Sequence, residues 1–254
     1  MPATPGMTVN LPNPLTRKLA QLAPLSPADT VLLDSLQSPT RAVARHRELI
    51  SAGRRYDGLL ILIDGIAIRS RVLHDGRRQI LNIAIPGDVI GFPACFFERA
   101  LYSVTALTDT QVASVPFARL LGLFEEHPRV AATVFWSFAC EAAIYAEHLI
   151  GLGRRSSVER VGHFLLELLI RLQAVGLADG TSFRLPLTQE LIADVLGLSL
   201  QHINRTLRQL RTEGLVAIDG HSVEIRNVEG LAALAEFDRA YLSRFRIADL
   251  PTEG

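Results

Sequence analysis

Residues 187–210 read LTQELIADVLGLSLQHINRTLRQL, and their spacing constrains the fold more than any other part of the chain. Ala193 is followed by Gly197 four positions later and by Ile203 ten positions later. A small side chain lets two helices cross closely, and glycine readily adopts the left-handed conformation that ends a helix. A threonine and a serine stand where the two helices need N-terminal caps. The spacing therefore predicts a helix-turn-helix.

The second predicted helix is suited to the major groove of DNA. Its apolar residues recur on one side, which leaves a polar side that carries arginine, glutamine and asparagine. Arginine pairs with guanine, and glutamine or asparagine pairs with adenine, so we expect base contacts from Gln201, Asn204 and Arg205. Contacts with the phosphate backbone are expected from the capping and outer positions: Thr188, Ser199, His202, Thr206 and Arg208. The alternative is a solvated basic face on a winged helix with a structural role only.

The neighbouring segments predict a winged helix-turn-helix domain over residues 154–230. Ser156 and Glu159 have the spacing of a capping box at the start of an amphipathic helix. A hairpin that turns at Asp219-Gly220 follows the motif and would form the wing. Residues 174–182 are expected to form a loop.

The two ends of the chain are predicted to be simpler. Residues 1–25 would form an N-terminal arm that ends in a short helix around residues 15–22. A helix is expected over residues 26–36, since a serine cap precedes a proline and an aspartate in the first turn. A C-terminal helix is expected over about residues 228–245, where it would brace the domain. The final segment, residues 231–254, is thus predicted to consist of most of this helix and a tail.

Residues 26–122 are predicted to form a sensing domain made mostly of short strands. Residues 66–71 alternate with a period of two, as strands do. Asp75-Gly76 lies between two strand-like runs, and Pro86-Gly87-Asp88 marks a further turn. Two more strands flank Thr108-Asp109. Several short strands at close spacing predict a barrel or jelly roll, and with the helices they make the chain α+β.

A long helix predicted over residues 123–153 carries apolar residues in alternating steps of three and four. This heptad pattern is typical of a helix that pairs with a second copy, although a helix packed on its own barrel gives the same stripe. The predicted dimer interface consists of Phe135, Phe138, Ala142, Tyr145 and Leu149. The apolar run of residues 130–146 is interrupted by Glu141, and it is shorter than the roughly 20 residues of a membrane span, so we expect no membrane association.

Composition excludes several classes of protein. The 26 basic and 26 acidic residues cancel, so bulk charge does not coat nucleic acid, although a local patch still can. Two cysteines cannot build a disulfide framework, and no signal peptide opens the chain, so a reducing cytoplasm is expected. The histidines show no spacing typical of a metal site, and we found no phosphate-binding or nucleophile motif. An enzyme built on the jelly roll is therefore not expected.

Together these features resemble the Crp–Fnr family of bacterial transcription regulators over about residues 19–226. The resemblance rests on the strand-rich run with its Pro-Gly-Asp turn, the long helix and the helix-turn-helix. It implies a β-roll like that of cyclic-nucleotide-binding domains, a homodimer on a palindromic operator, and an RNA polymerase contact if the protein activates transcription. The family's base-reading positions fall on Leu200, Gln201, Asn204 and Arg205. Gln201 stands where the best-known members carry glutamate, so the operator is expected to differ from theirs.

The expected effector pocket departs from that of cyclic-nucleotide-binding members. Phe92 occupies the position of their ribose-binding glutamate, and Tyr102 occupies that of their phosphate-binding arginine. Four candidate pocket residues are Phe92, Arg99, Tyr102 and Ser103. The oxygen-sensing branch needs four cysteine ligands, which this chain lacks, so we expect neither an iron–sulfur cluster nor cyclic AMP binding in the usual mode. The expected function is DNA binding that a different ligand in the roll modulates. The alternative function is a small-molecule-binding sensor module with little or no DNA binding.

Overall fold

The computed structural model describes residues 13–92 and 94–242. The N-terminal part of the predicted arm, residues 1–12, lies outside the described residues. Two short helices open the described chain, α1 (Pro14–Leu22) and α2 (Pro27–Leu36). Ser26 and Asp29 cap α2 reciprocally, with the Asp29 N–H donating to Ser26 Oγ at 3.1 Å. Both helices predicted near this end are therefore confirmed.

The strand-rich region forms a β-roll of two four-stranded antiparallel sheets. One sheet has the order β1-β8-β3-β6 and the other β2-β7-β4-β5. The strands are β1 (Thr40–Val43), β2 (Glu48–Ile50), β3 (Leu59–Asp64), β4 (Ala67–Val72), β5 (Arg78–Ala84), β6 (Val89–Ile90), β7 (Ser103–Ala106) and β8 (Thr110–Val115). Val72 pairs with Arg78, so the β4–β5 hairpin turns through Asp75-Gly76 as predicted. Gly87 has a φ of 88° in the predicted turn at Pro86-Gly87-Asp88, which favours glycine there.

The β4–β5 side of the roll is covered on both faces. Ala67 belongs to the apolar interior of the roll, whereas Ile68 and Ile80 pack in one cluster with the C-terminal domain. The alternation of residues 66–71 therefore does not separate a buried face from a solvated one. Residues 67–70 are all buried, because the second domain covers the outer face of the strand.

Two helices connect the domains, α3 (Phe117–Glu126) and α4 (Pro128–Arg154). The predicted helix of residues 123–153 is correct in its body but wrong at its start. Proline lacks a backbone N–H and disfavours helical geometry in the residue before it. His127 accordingly has a φ of −138°, and the long helix begins at Pro128. No helix among the described residues is long and apolar enough to cross a membrane.

The C-terminal domain surrounds the helix-turn-helix. Its elements are α5 (Ser157–Ala174), β9 (Ala178–Asp179), β10 (Ser182–Arg184), α6 (Gln189–Leu196), α7 (Leu200–Thr212), β11 (Val216–Asp219), β12 (Ser222–Ile225) and α8 (Val228–Leu234). The segment expected to be a loop, residues 174–182, instead contains the end of α5 and a hairpin that adds β10 and β9 to the wing in the order β11-β12-β10-β9. Ser156 and Glu159 form the predicted capping box of α5.

The last predicted helix is shorter than expected. α8 ends at Leu234, and Glu236 adopts a left-handed φ of 47°. After this turn the ring of Phe237 packs against the His163 ring, with centroids 4.8 Å apart, and is partly buried in the core of the C-terminal domain. A 3-10 turn follows at Arg239–Leu242, and the rest of the predicted helix and tail, residues 243–254, lies outside the described residues.

Candidate nucleic-acid interface

The helix-turn-helix has the local geometry that its sequence predicts. The Leu191 N–H donates to Thr188 Oγ1 at 3.2 Å and caps α6. Gly197 ends α6 with a φ of 61°, in the left-handed region. The His202 N–H donates to Ser199 Oγ at 3.3 Å and caps α7. Each cap satisfies a backbone donor that the first helical turn would otherwise leave unpaired.

One predicted phosphate contact is wrong, because Thr206 is 1% exposed. It lies on the inward stripe of α7 together with Ile203, Leu207 and Leu210, which are all buried. Positions three and four apart share one face of a helix, and this face packs into the core of the domain. Thr206 therefore cannot reach a phosphate while the domain is folded.

The outer side of α7 presents polar groups that are free to bind a partner. Gln201, Asn204, Arg205 and Arg208 are exposed, and none of their side chains bonds to another described residue. The 13 residues of α7 include three arginines and no acid. With three positive charges and no acid within the helix, the exposed face of α7 has a positive potential.

Two further expected contacts lie at the N-terminus of α7, where backbone N–H groups favour an anion. Ser199 and His202 are both exposed, and Ser199 Oγ lies 2.7 Å from Nδ1 of His202. This bond orients the imidazole and leaves its Nε2 atom available. Thr188 is exposed at the start of α6.

The predicted wing is present, with its turn shifted by one residue. Asp219 pairs with Ser222, so the two-residue turn is Gly220-His221 rather than Asp219-Gly220. Gly220 has a φ of 55°, which this tight turn requires.

The helix-turn-helix is docked on its own roll, a contact that the sequence did not predict. Arg78 of the β4–β5 hairpin forms an ion pair with Asp194 of α6 at 2.6 Å. Gln79 Nε2 donates to the carbonyl oxygens of Asp194 and Val195, at 2.8 and 3.0 Å. Those carbonyls lie in the last turn of α6, where they lack helical partners. The hairpin thus holds the back of the motif, while α7 stays exposed.

The predicted dimer face of α4 divides into two sets. Phe135 and Leu149 are 58% and 69% exposed, and Ala142 is exposed between them. Phe138 is only 8% exposed, and Tyr145 is half-buried, because both turn towards the roll. Phe138 is thus buried within its own chain, contrary to its assignment to the interface. The alternative, a helix packed on its own barrel, is therefore correct for the edge of the apolar stripe that the roll covers. The other edge remains exposed.

The exposed edge of α4 forms its own heptad stripe. Ala139 and Ala146 are exposed, and they take the heptad positions that the prediction had assigned to Phe138 and Tyr145. The stripe, defined here as the α4 stripe, consists of Phe135, Ala139, Ala142, Ala146, Leu149 and Gly153. Its middle residues are small, which permits a second helix to approach closely.

The candidate effector residues do not form one ligand site. Phe92 stacks on Phe138 with ring centroids 4.2 Å apart, and the Tyr102 hydroxyl donates to the Phe92 carbonyl at 3.0 Å. Ser103 Oγ accepts from the Ala52 N–H at 3.1 Å, at the rim. Arg99, another candidate pocket residue, is exposed on the loop after β6 and has no polar partner among the described residues, so it does not line the interior of the roll.

Arg69 of β4 is a buried cation of the roll, although the alternating pattern of the strand gives it no special role. It is 5% exposed, and Nη1 lies 2.8 Å from Oε1 of Glu141 on α4. Nη1 also contacts the Tyr145 hydroxyl, and the guanidinium carbon lies 4.7 Å from the Tyr102 ring centroid. Burial, the largest single influence, would lower the pKa of Arg69, but the Glu141 carboxylate together with Tyr145 and Tyr102 raises that pKa above its ordinary value. Arg69 stands between Ile68 and Ser70 in the sequence, and this local pattern gives no signal of its burial.

A second charged cluster joins the roll to both α4 and α5. Asp88, from the predicted turn, accepts from Lys18 at 2.8 Å and from Arg171 at 2.9 Å. Arg171 also pairs with the buried Glu167 at 3.1 Å, and Glu167 lies 2.9 Å from His148. Although burial alone raises the pKa of a carboxyl group, these partners hold the pKa values of Asp88 and Glu167 below their ordinary range.

His163 lies on α5 where that helix meets α4, with Nε2 3.3 Å from Oε2 of Glu147. It is 4% exposed, and its ring stacks on Tyr241 at 5.8 Å. Burial, followed by the positive charge of Arg155, lowers the pKa of His163 to about 4. In the part of the chain that the structure describes, no cluster of histidine, cysteine and acidic side chains is arranged to hold a metal ion.

Comparison with known protein families matches the two domains separately. Residues 159–234 match the Crp-like helix-turn-helix domain, and residues 40–127 match the cyclic nucleotide-binding domain. The first match contains α6, α7 and the wing, and the second contains all eight strands of the roll.

Relatives match across both domains. The transcriptional activatory protein AadR of Rhodopseudomonas palustris is 31% identical over 223 residues, which cover 86% of this chain and 90% of that protein. The nitrogen fixation regulation protein FixK of Bradyrhizobium diazoefficiens is 33% identical over 175 residues, covering 68% of this chain and 72% of that protein. The solved structure of FixK2 from Bradyrhizobium japonicum superposes with a TM-score of 0.69 at 29% identity, covering 77% of this chain and 96% of the other.

Proposed function

Because the chain belongs to the Crp–Fnr family of bacterial transcription regulators, we propose that it binds a palindromic operator as a homodimer. The protein is a DNA-binding transcription regulator, as its family is, and the alternative of a sensor module without DNA binding has no support from its relatives. The observation that carries the proposal is the exposed side of α7. On this side Gln201, Asn204, Arg205 and Arg208 bond to no other described residue, and α7 itself contains no acid.

Base reading is assigned to Gln201, Asn204 and Arg205, which project from the first two turns of α7. A recognition helix presents its N-terminal residues to base edges, where arginine pairs with guanine through two hydrogen bonds. Gln201 and Asn204 each offer a donor and an acceptor, the pattern that matches adenine.

Backbone contacts are assigned to the exposed members of the expected set, Thr188, Ser199, His202 and Arg208. Thr206 is withdrawn because it is buried. The caps place Ser199 and His202 at the positive end of α7, which favours a phosphate there.

The dimer is proposed to form through the α4 stripe. In a pair of α4 helices, Phe135 and Leu149 of each copy would be buried against the other copy. The alanines between them would allow the two helices to come into close contact. Two-fold symmetry would then place two recognition helices about 34–36 Å apart, one turn of DNA.

The remaining partners follow from this arrangement. An activator of this family would contact RNA polymerase, and a protein that acts on the chromosome would work in the cytoplasm. We propose that neither cyclic AMP in the usual mode nor an iron–sulfur cluster is bound. Phe92 and Tyr102 replace the two side chains that would hold the nucleotide, and the two cysteines are too few for the cluster.

The proposal is tested by selecting bound sequences from random DNA with the purified protein. We expect a two-fold symmetric consensus whose half-sites are one helical turn apart. Binding to this consensus is then compared with binding to a scrambled duplex at one fixed salt concentration. Equal affinity for the two duplexes would refute sequence-specific binding.

A further inference from the structure

The Arg69–Glu141 pair joins the roll to the long helix at the place where the roll opens towards α4. Arg69 comes from β4 in the middle of its sheet, and Glu141 comes from the middle of α4. The Arg69 side chain is 6% exposed and the Glu141 side chain 18%. The small space around them is lined by the polar residues Asn82 and Asp88 and by four apolar residues, Ala84, Val89, Ile90 and Val104. The cation and the anion that bridge the two elements are therefore both supplied by the chain.

The Glu141 carboxylate has three donors around it. Besides Arg69 at 2.8 Å, Asn82 Nδ2 donates to Oε1 at 3.1 Å, and the Tyr145 hydroxyl lies at 3.4 Å. A buried charge is tolerated when it is paired and hydrogen-bonded, and removing one partner strands the other in a poorly solvated site. The pair thus fixes α4 against the roll in one arrangement.

The same contacts continue into the DNA-binding domain. Asn82 Oδ1 accepts from Arg171 Nη1 at 3.3 Å, and Arg171 lies on α5. Arg171 Nη2 also donates to the Ile83 carbonyl at 2.7 Å. Glu141 is therefore two hydrogen bonds away from the first helix of the domain that carries α7. A shift of α4 relative to the roll would disturb this connection.

We propose that the Arg69–Glu141 pair is a built-in clamp that holds α4, and through it the recognition helices, in the DNA-binding arrangement with no small molecule in the roll. Both residues are positioning residues, since neither touches DNA. The proposal rests on the proposed operator binding. It replaces the expectation that a ligand in the roll modulates activity.

The decisive variant is Glu141→Ala, which leaves the Arg69 guanidinium buried without its carboxylate. We expect its affinity for the selected operator to fall at least 10-fold. Acetate at constant ionic strength should restore most of the loss, because it supplies a carboxylate of the missing size. Chloride at the same ionic strength should restore nothing. The matched control is Glu125→Ala on the exposed surface of α3, which should bind like the wild type with or without acetate.

A second variant guards against a loss of folding. Glu141→Gln keeps the shape of the side chain but removes its charge, and it should show the same loss of operator affinity with the α-helical circular dichroism signal retained. Wild-type affinity in both Glu141 variants would overturn the clamp. A loss in Glu141→Ala that acetate does not reverse would also overturn it, because the lost affinity would then not depend on the missing carboxylate.

Independence from a ligand is tested on the wild-type protein. Protein that is unfolded in denaturant, dialysed and refolded should bind the operator with its original affinity. A loss that a small-molecule extract of the cells restores would overturn the proposal. If refolded and native protein both fail to distinguish the operator from scrambled DNA, the proposed function fails instead, so the two failures are distinguishable.

Discussion

The rings of Phe92 and Phe138 stack 4.2 Å apart with an angle of 11° between their planes. Phe92 lies on the roll and Phe138 on α4, so this contact decides which edge of the long helix faces its own domain. The two ring faces are buried against each other, and aromatic side chains bury large apolar areas. The opposite edge, the α4 stripe, is left for a partner.

The first prediction separates these two edges of α4. Leu149→Glu places a charge in the α4 stripe without touching the roll, and desolvating it in a dimer costs several kcal/mol. We expect this variant to sediment as a folded monomer. Phe138→Glu should instead lower the thermal midpoint, since it buries a carboxylate beside Phe92. Retention of a full dimer by Leu149→Glu would place the interface on another surface.

The second prediction concerns the reading of bases by Arg205. Arg205→Ala should weaken operator binding by about 1–3 kcal/mol per half-site and relax the preference at one base pair. The measurement is a binding titration against operators that differ at single positions. An equal loss on operator and random DNA would make Arg205 a phosphate contact and leave base reading to Gln201 and Asn204.

The third prediction uses Arg208 as the contrast. Arg208→Ala should weaken binding to all sequences and reduce the slope of log affinity against log salt by about one unit per subunit. Titrations at several salt concentrations on two unrelated duplexes measure this slope. A change in sequence preference without a change in slope would contradict the assignment.

The fourth prediction tests the correction at Thr206. Because the side chain is buried in the domain core, Thr206→Val keeps its volume and should leave the salt dependence of DNA binding unchanged. Thr206→Asp should lower the stability of the C-terminal domain, since it buries a charge without a partner. If Thr206→Val reduced the salt slope by a full unit, the hydroxyl would be a phosphate ligand after all.

The fifth prediction is a pH dependence of stability that comes from His163. Its pKa is lowered to about 4 in the folded protein, compared with 6.5 for an unperturbed histidine. The unfolded chain therefore binds more protons between these values, so stability is fully present above about pH 6.5 and falls as the pH decreases towards 4. Denaturant unfolding of the wild type and of His163→Leu measures this, and the variant should lose less stability across that range. A parallel loss in both proteins would assign the effect to other groups.

The sixth prediction concerns cyclic AMP. Calorimetry at high micromolar nucleotide should show no binding heat, because Phe92 and Tyr102 offer no charge for the phosphate and Arg69 is already paired with Glu141. A micromolar dissociation constant would mean that the nucleotide displaces Glu141 from Arg69.

The sequence by itself determined the features that depend on a few neighbouring residues. Thr188, Gly197 and Ser199 specify two caps and a left-handed turn through local hydrogen bonds and backbone sterics, so the helix-turn-helix was predictable from spacing alone. The β4–β5 hairpin and the capping boxes were predictable for the same reason.

Tertiary structure decided which of two equivalent faces is buried and which polar residue meets which partner. The apolar stripe of α4 was compatible both with a dimer seam and with packing on the roll. Only the position of the roll decided that Phe138 is buried against it and that Leu149 remains exposed. Thr206 and Arg69 look solvated in sequence, yet they are buried because elements distant in the chain cover them. The pairing of Arg69 with Glu141 depends on contact between a strand and a helix far apart in the chain, and no local pattern records that contact.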